Sequence, residues 1–205
     1  MAKIHFLVDG FNFYHAVADE HFHYLKYKWI SLKKLCSFYV LSKNDGMAGI
    51  DYFTTLATWD PGKVARHKIF IKGQENEGVN VIYGEFKRKE RRCRSCHKMF
   101  WTFEEKQTDV NIALRLFQLA LQEKYDKAII ISGDTDLIPA IKAVRSTFPA
   151  KQIGVVIPIG RASEDLKKQA DFCYRMKEKH LQSSLYPENL SLSDGTVISC
   201  PPNWK

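Results

Sequence analysis

The sequence predicts an α/β protein with a mostly parallel, doubly wound sheet flanked by helices. Apolar runs of strand length alternate with segments of helical spacing, which is the order of repeated β-α-β units. Several of these runs end in Asp, Gly or Ser, residues that are typical of the turn after a buried strand. The longest apolar runs, 128–131 and 153–158, are far shorter than a membrane span. We therefore expect ligands to bind at the carboxyl ends of the strands.

The strands are assigned from apolar, aromatic and β-branched runs, and they fall at residues 4–8, 51–58, 80–86, 128–132, 152–157 and 172–176. The helices are assigned from apolar spacings of three and four residues, and they begin near Asn12 and cover 32–41, 61–72, 108–121, 136–147 and 166–170. The break at Asp60-Pro61-Gly62 opens the third helix, and Thr108 is expected to cap the fourth.

Length and composition indicate one folded domain. The chain has 205 residues and a mass of 23.7 kDa, and 45% of its residues are hydrophobic, which is enough for a sizeable core. We place this domain at residues 1–179, with a basic, cysteine-containing insertion at about 87–106. Residues 180–205 are rich in Ser, Pro, Asn and Asp, and they are predicted to form a C-terminal tail or a hairpin packed on the surface.

Cysteine usage and the N-terminus favour a cytoplasmic protein. The five cysteines are odd in number and include only one close pair, which argues against a secreted disulfide framework. The first apolar run leads straight into Asp9, with no small-residue cleavage site behind it. We expect no membrane partner.

Positive charge is concentrated at residues 87–98. The chain has a net charge of +8, and this segment places the single acid Glu90 among the basic residues Lys87, Arg88, Lys89, Arg91, Arg92, Arg94 and Lys98. Trp101 follows with two phenylalanines, and cations beside aromatic rings suit phosphate contacts and base stacking. We expect this segment to bind RNA, single-stranded or structured, with Lys106 as a further phosphate contact. The alternative is a solvated surface.

Carboxylates stand at the ends of predicted strands and at the start of a predicted helix. Asp9 follows the first strand, Asp109 opens the long helix, and Asp134 and Asp136 follow the fourth strand. In a doubly wound sheet the strand ends meet in one crevice. Carboxylates that are close together repel one another, and a bound divalent cation relieves that repulsion. We predict a Mg²⁺ or Mn²⁺ site that activates water and stabilises charge on a scissile phosphate. Taken singly, each acid also fits a turn or a helix cap.

Three blocks in order resemble the signature blocks of NYN domains: residues 7–12 (LVDGFN), 105–110 (EKQTDV) and 132–137 (SGDTDL). The pattern is similar to the bacterial LabA-like branch of that PIN-like superfamily. The resemblance implies a PIN-like fold and a metal-dependent endoribonuclease. It implies that the acids Asp9, Asp109, Asp134 and Asp136 are metal-binding and catalytic, with Asn12 and Thr135 as supporting polar groups. Asp171 lies where the family often shows an acid near its last strand, and we interpret it as structural.

Zinc is a weaker prediction. Cys93, Cys96 and the adjacent His97 have the spacing of half a zinc knuckle, whereas a closed structural site needs four ligands. The alternatives are two reduced thiols on a surface loop or a site completed by a second chain, so a homo-oligomer stays open.

Two other functions compete with the nuclease. One is a catalytically weak RNA-binding or regulatory module with the same fold, and intact acids in all three blocks argue against it. The other is a Toprim-like phosphoryl-handling enzyme, because residues 134–136 resemble the acid pair of Toprim domains. A Toprim domain would need a glutamate after its first strand, where this chain has Asp9.

Overall fold

The structure is a computed structural model that describes residues 1–18 and 25–204, apart from the side chains of 25 and 26. His21 and His23, to which the sequence assigns no role, lie outside the described residues. Strands and helices alternate along the chain, and helices flank a curled parallel sheet. The predicted fold class is therefore confirmed, and the architecture is consistent with a PIN-like fold.

The described part of the chain contains ten strands, in order β1 (Ala2–Asp9), β2 (Asp45–Thr54), β3 (Asn80–Tyr83), β4 (Glu85–Arg92), β5 (Met99–Lys106), β6 (Lys127–Ile131), β7 (Gln152–Ile157), β8 (Phe172–Arg175), β9 (Asn189–Ser191) and β10 (Val197–Ser199). It contains seven α-helices, in order α1 (Gly10–Val17), α2 (Leu32–Ser37), α3 (Pro61–Asn76), α4 (Thr108–Leu121), α5 (Ile138–Thr147), α6 (Glu164–Gln169) and α7 (Glu178–Ser183). None of these helices combines the length and apolar character needed to cross a lipid bilayer.

Strand order creates a switch point at the centre of the sheet. The six strands lie in the order β3-β2-β1-β6-β7-β8, and every neighbouring pair is parallel. The chain moves outward from β1 in one direction first and then returns to the other side of β1 with β6. The helices after β1 and β6 therefore leave the sheet in different directions, and a crevice opens between the carboxyl ends of these two strands.

Side chains alternate between two hydrophobic cores, one on each face of the sheet. Phe6 and Val8 of β1 belong to the core that also contains residues of α2 and α3. Leu7 belongs to the other core, which contains residues of α4, α5 and α6. Because strand side chains alternate, Asp9 points to the same face as Leu7. The start of α4 is thereby brought to the edge where Asp9 lies.

Several local predictions were wrong: the second strand covers Asp45–Thr54 and not 51–58, and two further errors lie near the base of the hairpin that precedes α4. The third strand does not run on to residue 86, because β3 ends at Tyr83 and Gly84 separates it from β4. A side chain at Gly84 would meet the Lys106 carbonyl oxygen at 2.8 Å, so only glycine fits where the chain leaves the sheet. Thr108 is the first residue of α4 and not its cap. Gln107 occupies the cap position with a left-handed backbone (φ 76°) and makes no side-chain capping bond.

Residues 180–205, predicted as a tail or a surface-packed hairpin, pack on the body of the protein as far as they are described. The strands β9 and β10 form an antiparallel hairpin. Tyr186 and Cys200 are buried in the same core as Phe6, and Leu190 and Ile198 of the hairpin pack against it. This segment therefore contributes apolar surface to the face of the sheet opposite Asp9.

A buried carboxylate on β2 ties four elements together. Asp51 is 1% exposed and accepts hydrogen bonds from His5 Nε2 of β1 (2.9 Å), Asn80 Nδ2 of β3 (2.7 Å) and Arg115 Nε of α4 (2.8 Å). Burial alone would raise the pKa of Asp51, but these hydrogen bonds outweigh it and lower the pKa to about 2. The interaction stabilises α4 against the sheet and thus the position of Asp109.

We expect Asp51→Asn to lower the free energy of unfolding by about 3 kcal/mol, because it leaves Arg115 partly buried without its counter-ion. Urea denaturation measures this loss. The control is Asp165→Asn, which removes an exposed pair with Lys168 at 3.7 Å and should change stability by less than about 0.5 kcal/mol. Equal effects of the two variants would contradict the central role of Asp51.

Candidate active site at the switch point

Asp9 lies at the carboxyl end of the central strand and is 3% exposed. Its extended backbone makes it the N-cap of α1, and its Oδ1 accepts the backbone N–H of Asn12 at 2.9 Å. Its Oδ2 accepts the hydroxyl of Ser132 at 2.8 Å. Gly10 is required here, since a Cβ would lie 2.4 Å from the carbonyl oxygen of Phe53. The turn from β1 into α1 thus fixes both the position and the orientation of the carboxylate.

The loop after β6 is attached to this turn. The Gly133 N–H donates to Asn12 Oδ1 at 3.0 Å, and the Asp134 N–H donates to Ser132 Oγ at 3.0 Å. Asn12 therefore supports the site through the loop, as a polar neighbour of Asp9. Ser132 bridges Asp9 and Asp134.

Asp134 is half-buried and caps a single 3₁₀ turn, residues 135–137, by accepting the N–H of Asp136 at 2.9 Å. Thr135 and Asp136 are exposed on that turn. Asp109 is half-buried in the first turn of α4. The three signature blocks thus end at one edge of the sheet, with Asp9 deepest and Asp136 outermost.

The acids influence one another electrostatically. Burial raises the pKa of Asp9 to about 6, the hydrogen bonds from Asn12 and Ser132 oppose this rise, and the charges of Asp109 and Asp134 add to it. Burial also raises the pKa of Asp109 to about 6, with further contributions from Asp134, Glu105 and Asp136. We call Asp9, Glu105, Asp109, Asp134 and Asp136 the acid cluster. Its members form one region of negative potential.

The acid cluster has the chemistry of a site for a hard divalent cation. All its donors are carboxylate oxygens, and the mutual repulsion of the carboxylates is what a cation relieves. Within residues 1–18 and 25–204, no three His, Cys, Asp or Glu side chains are already grouped closely enough to hold a metal ion. Mg²⁺ needs no such group, because it commonly uses one or two carboxylates and several waters. The residues therefore fit Mg²⁺ or Mn²⁺.

Three residues in or beside the acid cluster were not predicted. Glu105 is the penultimate residue of β5, accepts a hydrogen bond from Thr108 and raises the pKa of Asp109. Ser132 is the hydroxyl bridge described above. Arg161 follows β7, and a Cβ at Gly133 would lie 3.6 Å from both Arg161 Cβ and Asn12 Oδ1. Glu105 and Ser132 lie in the recognised blocks, and Arg161 lies four residues beyond the end of a strand. Their positions at the carboxyl edge of the predicted sheet could therefore have identified them as site residues.

Asp171 has a structural role. Its Oδ2 accepts the backbone N–H of Ile153 on β7 at 2.7 Å, and its Oδ1 pairs with Arg145 of α5 at 2.8 Å. These contacts hold β8 and α5 on β7.

The predicted basic insertion is an antiparallel hairpin of β4 and β5, residues 85–106, which we call the basic hairpin. Its two faces differ, because side chains alternate along each strand. On one face Glu104 forms ion pairs with Lys89, Arg91 and Lys106, and these contacts lower the pKa of Glu104 to about 2. On the other face the Arg88 guanidinium lies 3.7 Å from the centre of the Trp101 ring. Part of the positive charge is thus compensated within the hairpin.

Lys87 lies near the base of the basic hairpin, and the remaining predicted basic residues lie near its tip. Lys87 pairs with Glu85 at 3.2 Å, and Arg92 Nε donates to the carbonyl oxygen of His97 at 3.2 Å. Arg94 and Lys98 belong to the turn and are exposed. The hairpin therefore presents cations along its whole length.

The tip of the basic hairpin carries the Cys-X-X-Cys pair. The Cys93 N–H donates to the Lys98 carbonyl at 2.9 Å, the His97 N–H donates to the Cys93 carbonyl at 3.0 Å, and His97 has a left-handed backbone (φ 57°). Backbone hydrogen bonds from Cys96 and Ser95, with the Cys96 thiol, lower the pKa of the Cys93 thiol. Such a turn favours thiolates. Zinc stays a prediction, because two further ligands are needed.

A parallel α/β sheet with carboxylates at its switch point places the protein in the class of α/β proteins whose architecture is consistent with a PIN-like fold. Within that class, the chain belongs to the NYN domain family, whose profile matches residues 3–177.

Two comparisons add detail. The chain is 26% identical to the 6-hydroxy-3-succinoylpyridine 3-monooxygenase HspA of Pseudomonas putida (strain DSM 28022 / S16), over 86% of this chain and 66% of that protein. It therefore spans slightly less than two thirds of the curated relative's length. The crystal structure of VPA0982, a protein of unknown function from Vibrio parahaemolyticus RIMD 2210633, matches with a TM-score of 0.54 and 21% identity, over 90% of this chain and 96% of that one. This likeness concerns the fold alone.

The raised pKa of Asp109 predicts the direction in which the stability of the protein changes with pH. Its folded value of about 6 lies above the unfolded value of about 3.9, so between these pH values the folded protein binds more protons and stability falls as pH rises. In EDTA we expect Asp109→Asn to raise the free energy of unfolding by about 1 kcal/mol at about pH 7, after allowing for partial exposure, and to give no gain at about pH 4. Denaturation at both pH values measures this. The control Asp171→Asn should lower stability at neutral pH, since it breaks the contacts to Ile153 and Arg145.

Proposed function

We propose that this protein is a metal-dependent endoribonuclease and that it belongs to the LabA-like branch of its family. The observation that carries the proposal is the pair of carboxylates, Asp9 and Asp109, whose pKa values are raised to about 6 beside Asp134. Keeping charged acids at this edge costs stability, and such a cost is typical of functional sites. The NYN family match supports a nuclease-like activity.

Asp9, Asp109 and Asp134 would hold Mg²⁺ or Mn²⁺, directly or through bound waters, with Asp136 as the outermost acid of the set. A bound cation supplies activation of water and compensation of the charge on the scissile phosphate. In the reaction the oxygen of a water molecule forms a bond to phosphorus, the bond to the leaving sugar oxygen breaks, and the proton ends on that oxygen. The protein's own contribution is to hold the carboxylates in place: Asn12 and Ser132 orient Asp9, and Ser132 orients Asp134.

The basic hairpin would bring RNA to these acids. Its strand β5 leads directly into α4, so the cations of the hairpin and Asp109 lie on one continuous segment. Lysine and arginine bind phosphates without reading sequence, which suits a nuclease of broad specificity. An RNA-binding module without catalysis would use the same hairpin and would not need the acid cluster.

A second candidate is oxygenation of a small heteroaromatic compound, the type of activity named for the Pseudomonas putida relative. The observation that favours it is a cavity next to α1 that is lined by aromatic rings. Incubation with 6-hydroxy-3-succinoylpyridine, dioxygen and a reduced nicotinamide nucleotide tests it. Consumption of the reductant that depends on the pyridine would support this candidate, and RNA cleavage in Mg²⁺ or Mn²⁺ supports the first.

We expect Asp9→Asn and Asp134→Asn each to lower RNA cleavage by more than about 100-fold, because even the loss of an outer partner of a metal site typically costs 10–100-fold. High Mn²⁺ should partly restore activity, since only affinity for the cation is weakened. A shift of the melting temperature on addition of Mn²⁺ should appear in the wild type and shrink in the variants, which gives a readout independent of catalysis.

The matched control is Asp194→Asn, on the exposed turn between β9 and β10, which should leave cleavage unchanged. Wild-type cleavage in EDTA, or full activity of Asp134→Asn, would contradict the metal mechanism.

Charge reversal on the basic hairpin tests RNA binding. Log affinity falls linearly as the logarithm of the salt concentration rises. Each phosphate contact that is lost makes this fall less steep, by roughly 0.7 for single strands and 0.9 for duplexes. We expect the Arg91→Glu, Arg92→Glu double variant to weaken binding and flatten this slope. The control reverses Lys167 and Lys168, which are exposed on α6. An unchanged slope in the hairpin variant would show that its charge is only solvated.

A further inference from the structure

A cavity of about 560 Å³ lies between α1, α3, the end of β2 and the base of the basic hairpin. This volume falls in the range of roughly 300–1,000 Å³ that is typical of small-molecule sites. Its wall is unusually rich in aromatic rings, which come from distant parts of the chain: Phe11, Tyr14, Trp59, Phe86, Phe103 and Trp204. No part of the acid cluster lies in this wall.

The rings form a continuous row that leads from the cavity onto the basic hairpin. Phe11 contacts Phe86 edge to face, with ring centres 6.3 Å apart, and Trp59 contacts Phe86 at 4.7 Å. Trp59 and Phe103 are stacked in parallel at 3.7 Å. Phe103 pairs with Arg88 across the two strands, and Trp101 lies two residues along the same face. The stacked Arg88 and Trp101 therefore extend the row beyond the cavity.

Cations border the cavity on two sides. Lys63 and Arg66 lie on one face of α3, at the spacing of three residues that brings helix side chains together. Lys28 lies on the opposite side, with its Nζ 5.0 Å from the centre of the Tyr14 ring. Lys63 is paired with Asp60 at 3.8 Å, and both side chains are exposed, so a phosphate can compete with this pair.

The floor of the cavity is polar but uncharged. His67 Nε2 lies 3.2 Å from Thr54 Oγ1 and 3.4 Å from the Tyr52 hydroxyl. Burial lowers the pKa of His67 to about 4, so the ring is neutral near pH 7. Attraction for an anion therefore comes from Lys28, Lys63 and Arg66 at the border, while the interior suits a neutral polar ring.

The cavity and the acid cluster share the first turn of α1. Asp9 caps this helix, Gly10 and Phe11 line the cavity, and Asn12 accepts the N–H of Gly133 beside Asp134. A ligand in the cavity is therefore separated from the acid cluster by a single helical turn.

We propose that this cavity binds one unpaired nucleotide of a single strand, with its base among the rings of Phe11, Trp59 and Phe103 and its phosphate at Lys63 and Arg66. The strand continues over Arg88 and Trp101 in one direction and reaches the acid cluster in the other. A base in a duplex is stacked and paired and cannot enter such a cavity, whereas unpaired bases stack on aromatic side chains regardless of sequence. The inference rests on the proposed nuclease function and narrows its substrate to single-stranded RNA.

Binding in EDTA tests the cavity separately from catalysis. Fluorescence anisotropy of the full chain with a labelled ten-nucleotide oligouridylate and with a blunt RNA duplex gives the two affinities. We expect the single strand to bind at least about tenfold more tightly, and we expect Trp59→Leu and the Lys63→Ala, Arg66→Ala double variant each to remove about tenfold of that affinity. The control is Lys68→Ala, on the exposed side of α3, which should bind as the wild type does. Trp59 is 40% exposed, and the double variant removes only side chains at the cavity border, so one of the two tests survives if the other variant is unstable.

Competition with free ligands distinguishes a nucleotide that is part of a strand from a free nucleotide and from another small aromatic compound. Free uridine 5′-monophosphate should displace the oligonucleotide only at much higher concentration, as expected if the strand supplies further contacts on the hairpin. Equal affinity for single strand and duplex, or wild-type affinity in both cavity variants, would overturn the proposal even if RNA is cleaved. Displacement by 6-hydroxynicotinate at lower concentration than by uridine monophosphate would assign the cavity to a small aromatic acid instead. Selective binding of the single strand without cleavage in Mg²⁺ or Mn²⁺ would support the proposed nucleotide site and contradict the proposed nuclease activity.

Discussion

The buried carboxylate of Asp9 is the interaction on which the rest of the site depends. It ends the central strand, and its two oxygens accept hydrogen bonds from the start of α1 and from Ser132 at the end of β6. A carboxylate that is 3% exposed is tolerated because both oxygens have donors. The same contacts hold the loop that carries Asp134, so the two acidic turns keep one relative position. On the neighbouring strand β2, Asp51 accepts a hydrogen bond from Arg115. This contact holds α4, which carries Asp109, against the sheet.

Charge is distributed so that opposite signs lie on neighbouring elements. The acid cluster concentrates negative potential at the switch point, and the strand that precedes Asp109 belongs to the basic hairpin. Within that hairpin Glu104 neutralises part of the charge of three cations, so the local charge count overstates what one face offers to a phosphate. The opposite face, with Arg88 on Trp101, combines charge with an aromatic surface. Phosphate contact and base stacking are therefore available from one face of one hairpin.

The aromatic rings at the base of the basic hairpin have two structural roles. Phe86 and Phe103 anchor it on Trp59, a residue of the turn before α3, and the same rings close one wall of the cavity. The hairpin is thus held against the body by aromatic packing, and this packing shapes a site one helical turn from the acids. An insertion of high charge would otherwise have no apolar surface to orient it.

Local sequence determined much of this protein: strand β7 lies at the predicted residues, β1 and β6 lie within two residues of prediction, and the fold class follows from their alternation with helices. These features are predictable because periodicity and turn residues act within a few positions. The sequence also located the acids of the cluster at strand and helix ends. Only the tertiary structure decided that Asp9 is buried and bonded to Ser132, that Glu105 and Arg161 adjoin the acids, and that Gly84 turns the chain out of the sheet into a hairpin. It alone brought Phe11, Trp59 and Phe103 together, because rings that are 48 and 44 residues apart meet through packing, and no local pattern records such contacts.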